Sequence, residues 1–247
     1  MKRLLSVFRR GERRAARAAK RSAAVLGLAY AALLANPAPL FAYAMHKAPF
    51  SVHSDRPIPE EMRAVLAEAR RTLADCPLAF PADEYRVFIN NDAWRRRLVN
   101  PAAAGAFGAF YPAFGTVHVG ACDPAADETT RPGGATRPLS AVLTHECVHH
   151  AARRRVGLLS YLLLPTWANE GYAEHVAGGA TVPPQRAAEA IAAGRRDPSP
   201  GFRYAEYRLA VEEASRRPGF TPSRLLAEGG DFESLLAAAA ERRTGGR

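Results

Sequence analysis

The order of elements along the chain predicts an α+β fold for a single domain that starts after residue 45. Runs rich in β-forming residues come early, at 85–90 and 116–119, and each is closed by turn-forming residues. Helical periodicity, often opened by proline, dominates the chain from residue 138 onward. Strands followed by helices are typical of the α+β class. The chain has 247 residues, 48% of them hydrophobic, which is enough for one sizeable core.

Local signals predict the individual elements. The predicted helices span 57–75, 94–99, 138–152, 167–176, 183–193, 204–217, 222–228 and 232–243. Residues 101–115 are rich in Ala, Gly and aromatics and predict a mobile loop that acts as a lid. Residues 123–137 are rich in Asp, Pro, Gly and Thr and predict a surface loop.

The positive charge is concentrated at the N-terminus. The chain carries a formal charge of +10, and residues 1–21 hold nine Lys and Arg against one acid, Glu12. This segment contributes +8 and leaves +2 for the rest of the chain. We therefore expect the folded domain to have no nucleic-acid partner.

Residues 22–44 contain no charged side chain and predict a transmembrane anchor or a signal peptide. An anchor needs about 20 apolar residues, whereas Ala42-Tyr43-Ala44 fits a signal cleavage site. The long basic region before them favours the anchor. In both cases residues 1–21 form a basic cytoplasmic tail and the domain at 45–247 lies across the membrane. It is then membrane-anchored, or secreted or periplasmic if the leader is cleaved. A disordered tail followed by a buried helix of a soluble domain is the remaining alternative.

The three cysteines carry little functional information. In an exported protein Cys76 and Cys122 could pair, and the sequence leaves this open. Cys147 lies about 200° around its predicted helix from His145 and is predicted to be a core residue.

His145-Glu146-Cys147-Val148-His149 has the pattern H-E-x-x-H within the predicted helix at 138–152. Residues four apart share a helix face, so both imidazoles can reach one metal ion with Glu146 beside them. This arrangement is typical of a water-activating zinc site, which needs a third protein ligand and an open position.

The next helix offers that third ligand. Glu170 is the predicted ligand, and Glu174, four residues later on the same face, is predicted to accept a hydrogen bond from a metal-bound imidazole. His175 is a weaker ligand candidate. Ala152 and Arg155 stand where a metzincin has its glycine and third histidine, so that class is excluded.

The two motifs together resemble a known family. The residues that carry the resemblance are His145, Glu146 and His149, followed by Trp167, Glu170, Gly171, Ala173 and Glu174. This pattern, H-E-x-x-H and then W-x-x-E-G-x-A-E, resembles the gluzincin branch of the zincin metallopeptidases, and most of all the single-domain peptidase MA-like proteins.

The resemblance implies a zinc-dependent peptidase. It implies Zn²⁺ held by His145, His149 and Glu170, with Glu146 as the general base and a peptide or protein as substrate. It also implies one zincin-like domain, with a small N-terminal mixed sheet and an active-site helix followed by a mostly helical C-terminal half.

The resemblance further implies a donor to the oxyanion and an edge strand that holds the substrate. Tyr204 resembles the tyrosine that opens the following helix in peptidase MA-like proteins, and Tyr207 is the second choice. Residues 116–119 are the candidate edge. There His118 either faces the cleft or is an ordinary strand histidine, whereas His150 is predicted to be structural or at the surface.

Two other functions stay open at this stage. A zincin fold can keep its metal and serve as a catalytically silent binding or regulatory module. Alternatively, the protein is a membrane-anchored interaction protein whose basic tail acts on anionic lipids.

Overall fold

The structure is a computed structural model that describes the backbone of residues 2–245 and the side chains of residues 19–101 and 103–245. Its strands are β1 (Tyr43–Lys47), β2 (Phe50–Ser54), β3 (Tyr85–Ile89), β4 (Gly108–Tyr111), β5 (Thr116–Val119), β6 (Ala121–Asp123), β7 (Glu128–Thr130) and β8 (Thr136–Pro138). Its helices are α1 (Lys2–Ala35), α2 (Met62–Ala74), α3 (Ala93–Val99), α4 (Leu139–Val156), α5 (Leu158–Leu162), α6 (Thr166–Ala177), α7 (Pro184–Ala192), α8 (Pro200–Ser215), α9 (Pro222–Glu228) and α10 (Phe232–Thr244).

A five-stranded mixed sheet forms one layer of the domain, in the order β1-β2-β3-β5-β4. The three central strands are parallel, and an antiparallel strand lies at each edge. Val52, Val87 and Val117 are aligned across the central strands, are fully buried, and belong to the same core as α2 and α4. The predicted α+β class with a small mixed sheet is therefore confirmed.

The opposite face of the sheet carries an aromatic row. His53, Phe88 and His118 are aligned across the same three strands, and the Phe88 ring stacks on both imidazoles at 5.1 and 5.3 Å. Phe41 covers Phe88 from the segment before β1, and Tyr111 packs edge-on against His118. Alternate residues of a strand point to opposite faces, so the valine row and the aromatic row follow from the pleat.

His118 makes the stability of the fold depend on pH. Burial lowers the pKa of His118 from 6.5 to about 4, because the charged imidazolium is poorly solvated there. Between these two pH values the unfolded chain binds more protons than the folded one, so stability is lost as the pH falls through this window. At about 1.4 kcal/mol per pKa unit, this lowered pKa corresponds to a loss of roughly 3 kcal/mol at most.

The measurement is urea unfolding of wild type and His118→Phe at pH 7 and pH 4. We expect the free energy of unfolding to fall by about 2–3 kcal/mol more in wild type than in the variant. Groups that titrate in both proteins, such as His53, cancel in this comparison. Equal pH dependence in the two proteins would contradict the prediction.

Two regions predicted as loops contain strands. Residues 101–115 include β4, which pairs with β5 and forms the sheet edge, so the prediction that 116–119 is the edge is wrong. Residues 123–137 include β7 and most of β8, which form a small antiparallel sheet with β6. These strands have only three or four residues. Their stability comes from pairing, which composition does not reveal.

A turn of the small sheet also caps the start of the helix that carries H-E-x-x-H. Asp127, in the turn between β6 and β7, accepts hydrogen bonds from the Ser140 backbone nitrogen at 2.8 Å and the Ser140 hydroxyl at 2.6 Å. These bonds satisfy a free amide at the start of α4 and place a negative charge at its positive end. The helix then continues with every residue from 139 to 152 buried.

Helix α4 lies in the middle of the domain, where it contacts β4, β5, α2 and α6. Helix α8 packs on α6, and α10 packs on α8 and α7 around a second, smaller cluster of buried residues. Cys147 is fully buried, which confirms its predicted core position. Cys76 and Cys122 do not form a disulfide. The Sγ atom of Cys76 instead lies 3.8 Å from the Tyr172 hydroxyl.

The predicted leader at 22–44 is divided among α1, a single 3-10 turn at Ala38–Leu40 and β1. Residues 22–35 belong to α1, which ends against the domain where the Tyr30 hydroxyl donates to the Leu98 carbonyl at 2.7 Å. Tyr43 and Ala44 belong to β1, so cleavage after Ala44 would remove the first two residues of that strand. Within residues 2–245 no helix combines the length and the hydrophobicity needed to cross a bilayer. The side chains of residues 1–18, most of the predicted basic tail, lie outside the described residues.

Candidate metal centre

Helices α4 and α6 bring the three predicted ligands together. The Nε2 atoms of His145 and His149 lie 3.1 Å apart. Oε2 of Glu170 lies 3.2 Å from Nε2 of His145 and 3.4 Å from Nε2 of His149. The two histidines are one helical turn apart on α4, and Glu170 approaches from the first half of α6.

These distances fit one metal ion. Four ligands placed tetrahedrally around zinc at about 2.0–2.1 Å lie about 3.3 Å from one another. The observed separations of 3.1, 3.2 and 3.4 Å agree with that spacing. The three groups, all of a kind that binds metal, therefore form a site that can hold a metal ion.

The second nitrogen of each imidazole also lies close to an oxygen atom of α6. Nδ1 of His145 lies 3.2 Å from Oε1 of Glu174, and Nδ1 of His149 lies 3.2 Å from Oδ1 of Asn169. A proton on each Nδ1 leaves the Nε2 lone pair free to bind metal. Glu174 occupies the place predicted from the sequence. Asn169, which also donates to the Tyr161 hydroxyl at 3.3 Å, was missed, although it directly precedes Glu170.

Arg137 is a second residue that sequence reasoning missed. Its Nη1 and Nη2 donate to the two carboxylate oxygens of Glu174 at 2.8 and 3.1 Å, and its Nε donates to the Gly179 carbonyl. Burial alone would raise the pKa of Glu174, but His145 and Arg137 lower it to about 2. Arg137 thus keeps Glu174 ionised and oriented toward the imidazole. It belongs to β8, in a segment predicted as a loop, and no motif marks it.

The charges of the site suit a divalent cation. Glu146, Glu170 and Glu174 are three carboxylates in a largely buried place, and Arg137 supplies one positive charge. Burial lowers the pKa of His145, but Glu170 and Glu174 reverse the effect and raise it to about 10. Metal binding requires both imidazoles to be neutral, and the three carboxylates together with Arg137 then carry a net charge of −2, which a doubly charged metal ion would balance.

Glu146 lies between the metal ligands and the sheet edge. A Cβ atom on Gly108 of β4 would be 2.9 Å from Oε1 of Glu146 and 2.9 Å from Cγ1 of Val142. The glycine therefore lets the backbone of the edge strand approach the carboxylate closely. Burial raises the pKa of Glu146 above its usual range, which is the direction that makes a carboxylate a stronger base.

A cavity of about 380 Å³ opens beside these groups. Its charged and polar lining includes Arg131, Arg137, His145, Glu146, Glu174 and Tyr204. Tyr204, in the first half of α8, has its ring 6.2 Å from the His145 ring. Burial and the nearby Glu170 raise the pKa of Tyr204 well above 10, so its hydroxyl stays a donor. Tyr207 instead packs on Phe232, so Tyr204 is the one of the two predicted tyrosines that lines the cavity.

The other histidines of the sequence analysis lie outside the cluster. His150 is buried between the rings of Tyr85 and Phe110, which confirms its structural position. His118 is an internal strand histidine beside Thr116 and does not line the cavity. His175 lies near Tyr172 and is not among the grouped ligands.

Comparison with protein-family models and with curated proteins gives no match. The residues of the site therefore carry the functional argument.

Proposed function

We propose that this protein is a zinc-dependent peptidase, with the metal held by His145, His149 and Glu170. The observation that supports it is the convergence of these ligands, 3.1–3.4 Å apart, beside the buried carboxylate of Glu146 and an open cavity. Two histidines and one carboxylate also bind Fe²⁺ in other proteins. A glutamate that follows the first histidine of H-E-x-x-H favours zinc and hydrolysis.

Each group has a distinct role in this proposal. Zinc held by His145, His149 and Glu170 would act as a Lewis acid toward the scissile carbonyl and would lower the pKa of water toward about 7. Glu146 accepts a proton from the attacking water and then delivers it to the leaving amine. Tyr204 donates a hydrogen bond to the oxyanion that develops on the carbonyl oxygen. Glu174 and Asn169 hold the two imidazoles in position.

Strand β4 is the place where an extended peptide would bind. It lies at the edge of the sheet, and its Gly108 touches Glu146. A peptide that adds to this edge by main-chain hydrogen bonds would pass directly beside the carboxylate. The predicted leader at 22–44 would place this reaction at or beyond a membrane.

Metal content is the first test. The full-length wild-type protein is expected to contain about one zinc ion per chain by inductively coupled plasma mass spectrometry. His149→Ala removes one of three ligands and should lose the metal, and His175→Ala, a histidine outside the cluster, should keep it. Hydrolysis of a mixed fluorogenic peptide library should disappear on chelation and return when zinc is added.

Two outcomes would count against the proposal in different ways. A wild-type protein that binds no metal would remove the basis for any zinc function. A protein that binds one zinc ion and cleaves no peptide would instead support the catalytically silent binding module.

A further inference from the structure

Among the described residues that line the cavity, Arg131 is a cation without a carboxylate partner. Arg137 is fully engaged by Glu174, whereas Arg131 forms no ion pair with any carboxylate of the described residues. Arg131 lines the same cavity as Glu146 and is half-buried. Arg131 thus borders the space where a substrate of the proposed peptidase would lie.

Phe107 holds this guanidinium in place. The central guanidinium carbon of Arg131 lies 5.4 Å from the Phe107 ring centroid, and that of Arg137 lies 5.8 Å from the same ring. Contacts of this kind position an arginine without using its N–H donors. The donors of Arg131 consequently stay available, and the planar guanidinium matches the two oxygens of a carboxylate.

The rest of the cavity limits the size of what it accepts. Apolar and small residues complete the wall, among them Phe107, Val142, Ala180 and Pro200. A volume of about 380 Å³ is near the lower end of the range of roughly 300–1,000 Å³ for small-ligand pockets. One side chain or one chain end fits this space better than a long stretch of polymer.

We propose that this cavity is a specificity subsite in which Arg131 binds a carboxylate of the substrate, next to the scissile bond. This rests on the proposed peptidase function. The carboxylate belongs either to an Asp or Glu side chain or to the C-terminus of the peptide. The first source makes the protein an endopeptidase with acidic preference, and the second makes it a carboxypeptidase.

The test measures binding separately from cleavage. The full-length Glu146→Gln protein, loaded with zinc, is titrated with fluorescent peptides in matched pairs. The peptides of the first pair differ only in a Glu or a Gln side chain, and those of the second pair differ only in a free or an amidated C-terminus. We expect the acidic member of one pair to bind on the order of 10-fold more tightly, as for a charge-assisted hydrogen bond. Adding Arg131→Ala should remove that preference, and Arg131→Glu should reverse it in favour of a Lys peptide.

Arg195→Ala is the matched control. It removes one positive charge at an exposed position outside the cavity and should keep the full preference. A preference that depends on Glu against Gln identifies the side chain, and one that depends on the free C-terminus identifies the chain end. Circular dichroism of each variant checks that it is folded, and Arg131→Lys should retain part of the preference.

The subsite and the peptidase can fail independently. Equal binding of acidic and neutral peptides, no peptide binding, or a preference that survives in folded Arg131→Ala and Arg131→Glu would overturn the subsite. Cleavage by the wild type without acidic preference would leave the peptidase standing and remove the subsite. Arg131-dependent binding without cleavage by the zinc-loaded wild type would keep the carboxylate-binding site and remove the peptidase.

Discussion

Replacing Glu146 by glutamine is expected to abolish peptide hydrolysis while the protein keeps its metal. The amide has nearly the shape of the carboxylate and so preserves the close approach to Gly108. It cannot accept a proton from water, and loss of a general base lowers rates by about 10²- to 10⁴-fold. The proposed metal ligands His145, His149 and Glu170 are untouched, so zinc content should stay at the wild-type level.

The measurement compares kcat/KM for the best library peptide with zinc content determined on the same preparation. Glu206→Gln is a suitable control, because Glu206 is also buried but pairs with Arg196 away from the cavity. That control should retain most of the activity. If Glu146→Gln keeps more than about a tenth of the wild-type rate, Glu146 is not the general base.

Replacing Gly171 by alanine is expected to destabilise the protein by about 3 kcal/mol or more. This glycine lies where α6 crosses α8. A Cβ atom there would be 2.5 Å from the carbonyl oxygen of Tyr207, 2.7 Å from its carbonyl carbon, and 2.9 Å from Cγ2 of Val211. Two of these atoms belong to the backbone, so the helices would have to move apart.

Unfolding in urea and by heat measures this effect. Gly27→Ala is the matched control, since Gly27 is also helical but a Cβ there would meet no atom within 4 Å. The control should be neutral or slightly stabilising, because alanine favours helix more than glycine does. A Gly171→Ala protein within about 0.5 kcal/mol of wild type would show that α6 and α8 separate easily.

The same crossing explains why the motif contains a glycine. Gly171 directly follows Glu170, and Tyr204 begins the turn of α8 that leads to Tyr207. Close approach of the two helices therefore brings the Tyr204 ring to 6.2 Å from the His145 ring. The motif W-x-x-E-G contains this glycine, but the need for it is visible only in the structure, because the atoms that leave no room for a side chain belong to helix α8.

Elements with strong local signals were predicted well. The strand Thr116–Val119 and the helix Pro222–Glu228 have the bounds that were predicted, because glycines flank the first and proline and glycine delimit the second. The H-E-x-x-H helix and the helix of Glu170 were also found. In both helices, a spacing of four residues indicates that the two side chains lie on the same helical face.

Elements that depend on distant partners were missed. The hairpin of β1 and β2, the edge strand β4 and the small sheet with β7 and β8 contain three to five residues per strand. Strands of this length become stable through cross-strand pairing. Arg131 and Arg137 lie in or next to these strands, so their approach to the cavity was equally hidden.

By itself the sequence determined which groups can bind a metal, since a helical turn brings His145 and His149 together and α6 repeats the spacing at Glu170 and Glu174. Only the tertiary structure decided what surrounds them: the Glu146 carboxylate close to the sheet edge, an arginine that donates to Glu174, and, among the described residues, a guanidinium at the cavity without a carboxylate partner. The physical reason is the distance along the chain over which each interaction acts. Helical geometry acts over four residues, whereas the cavity is formed by elements far apart along the chain, and their positions depend on packing.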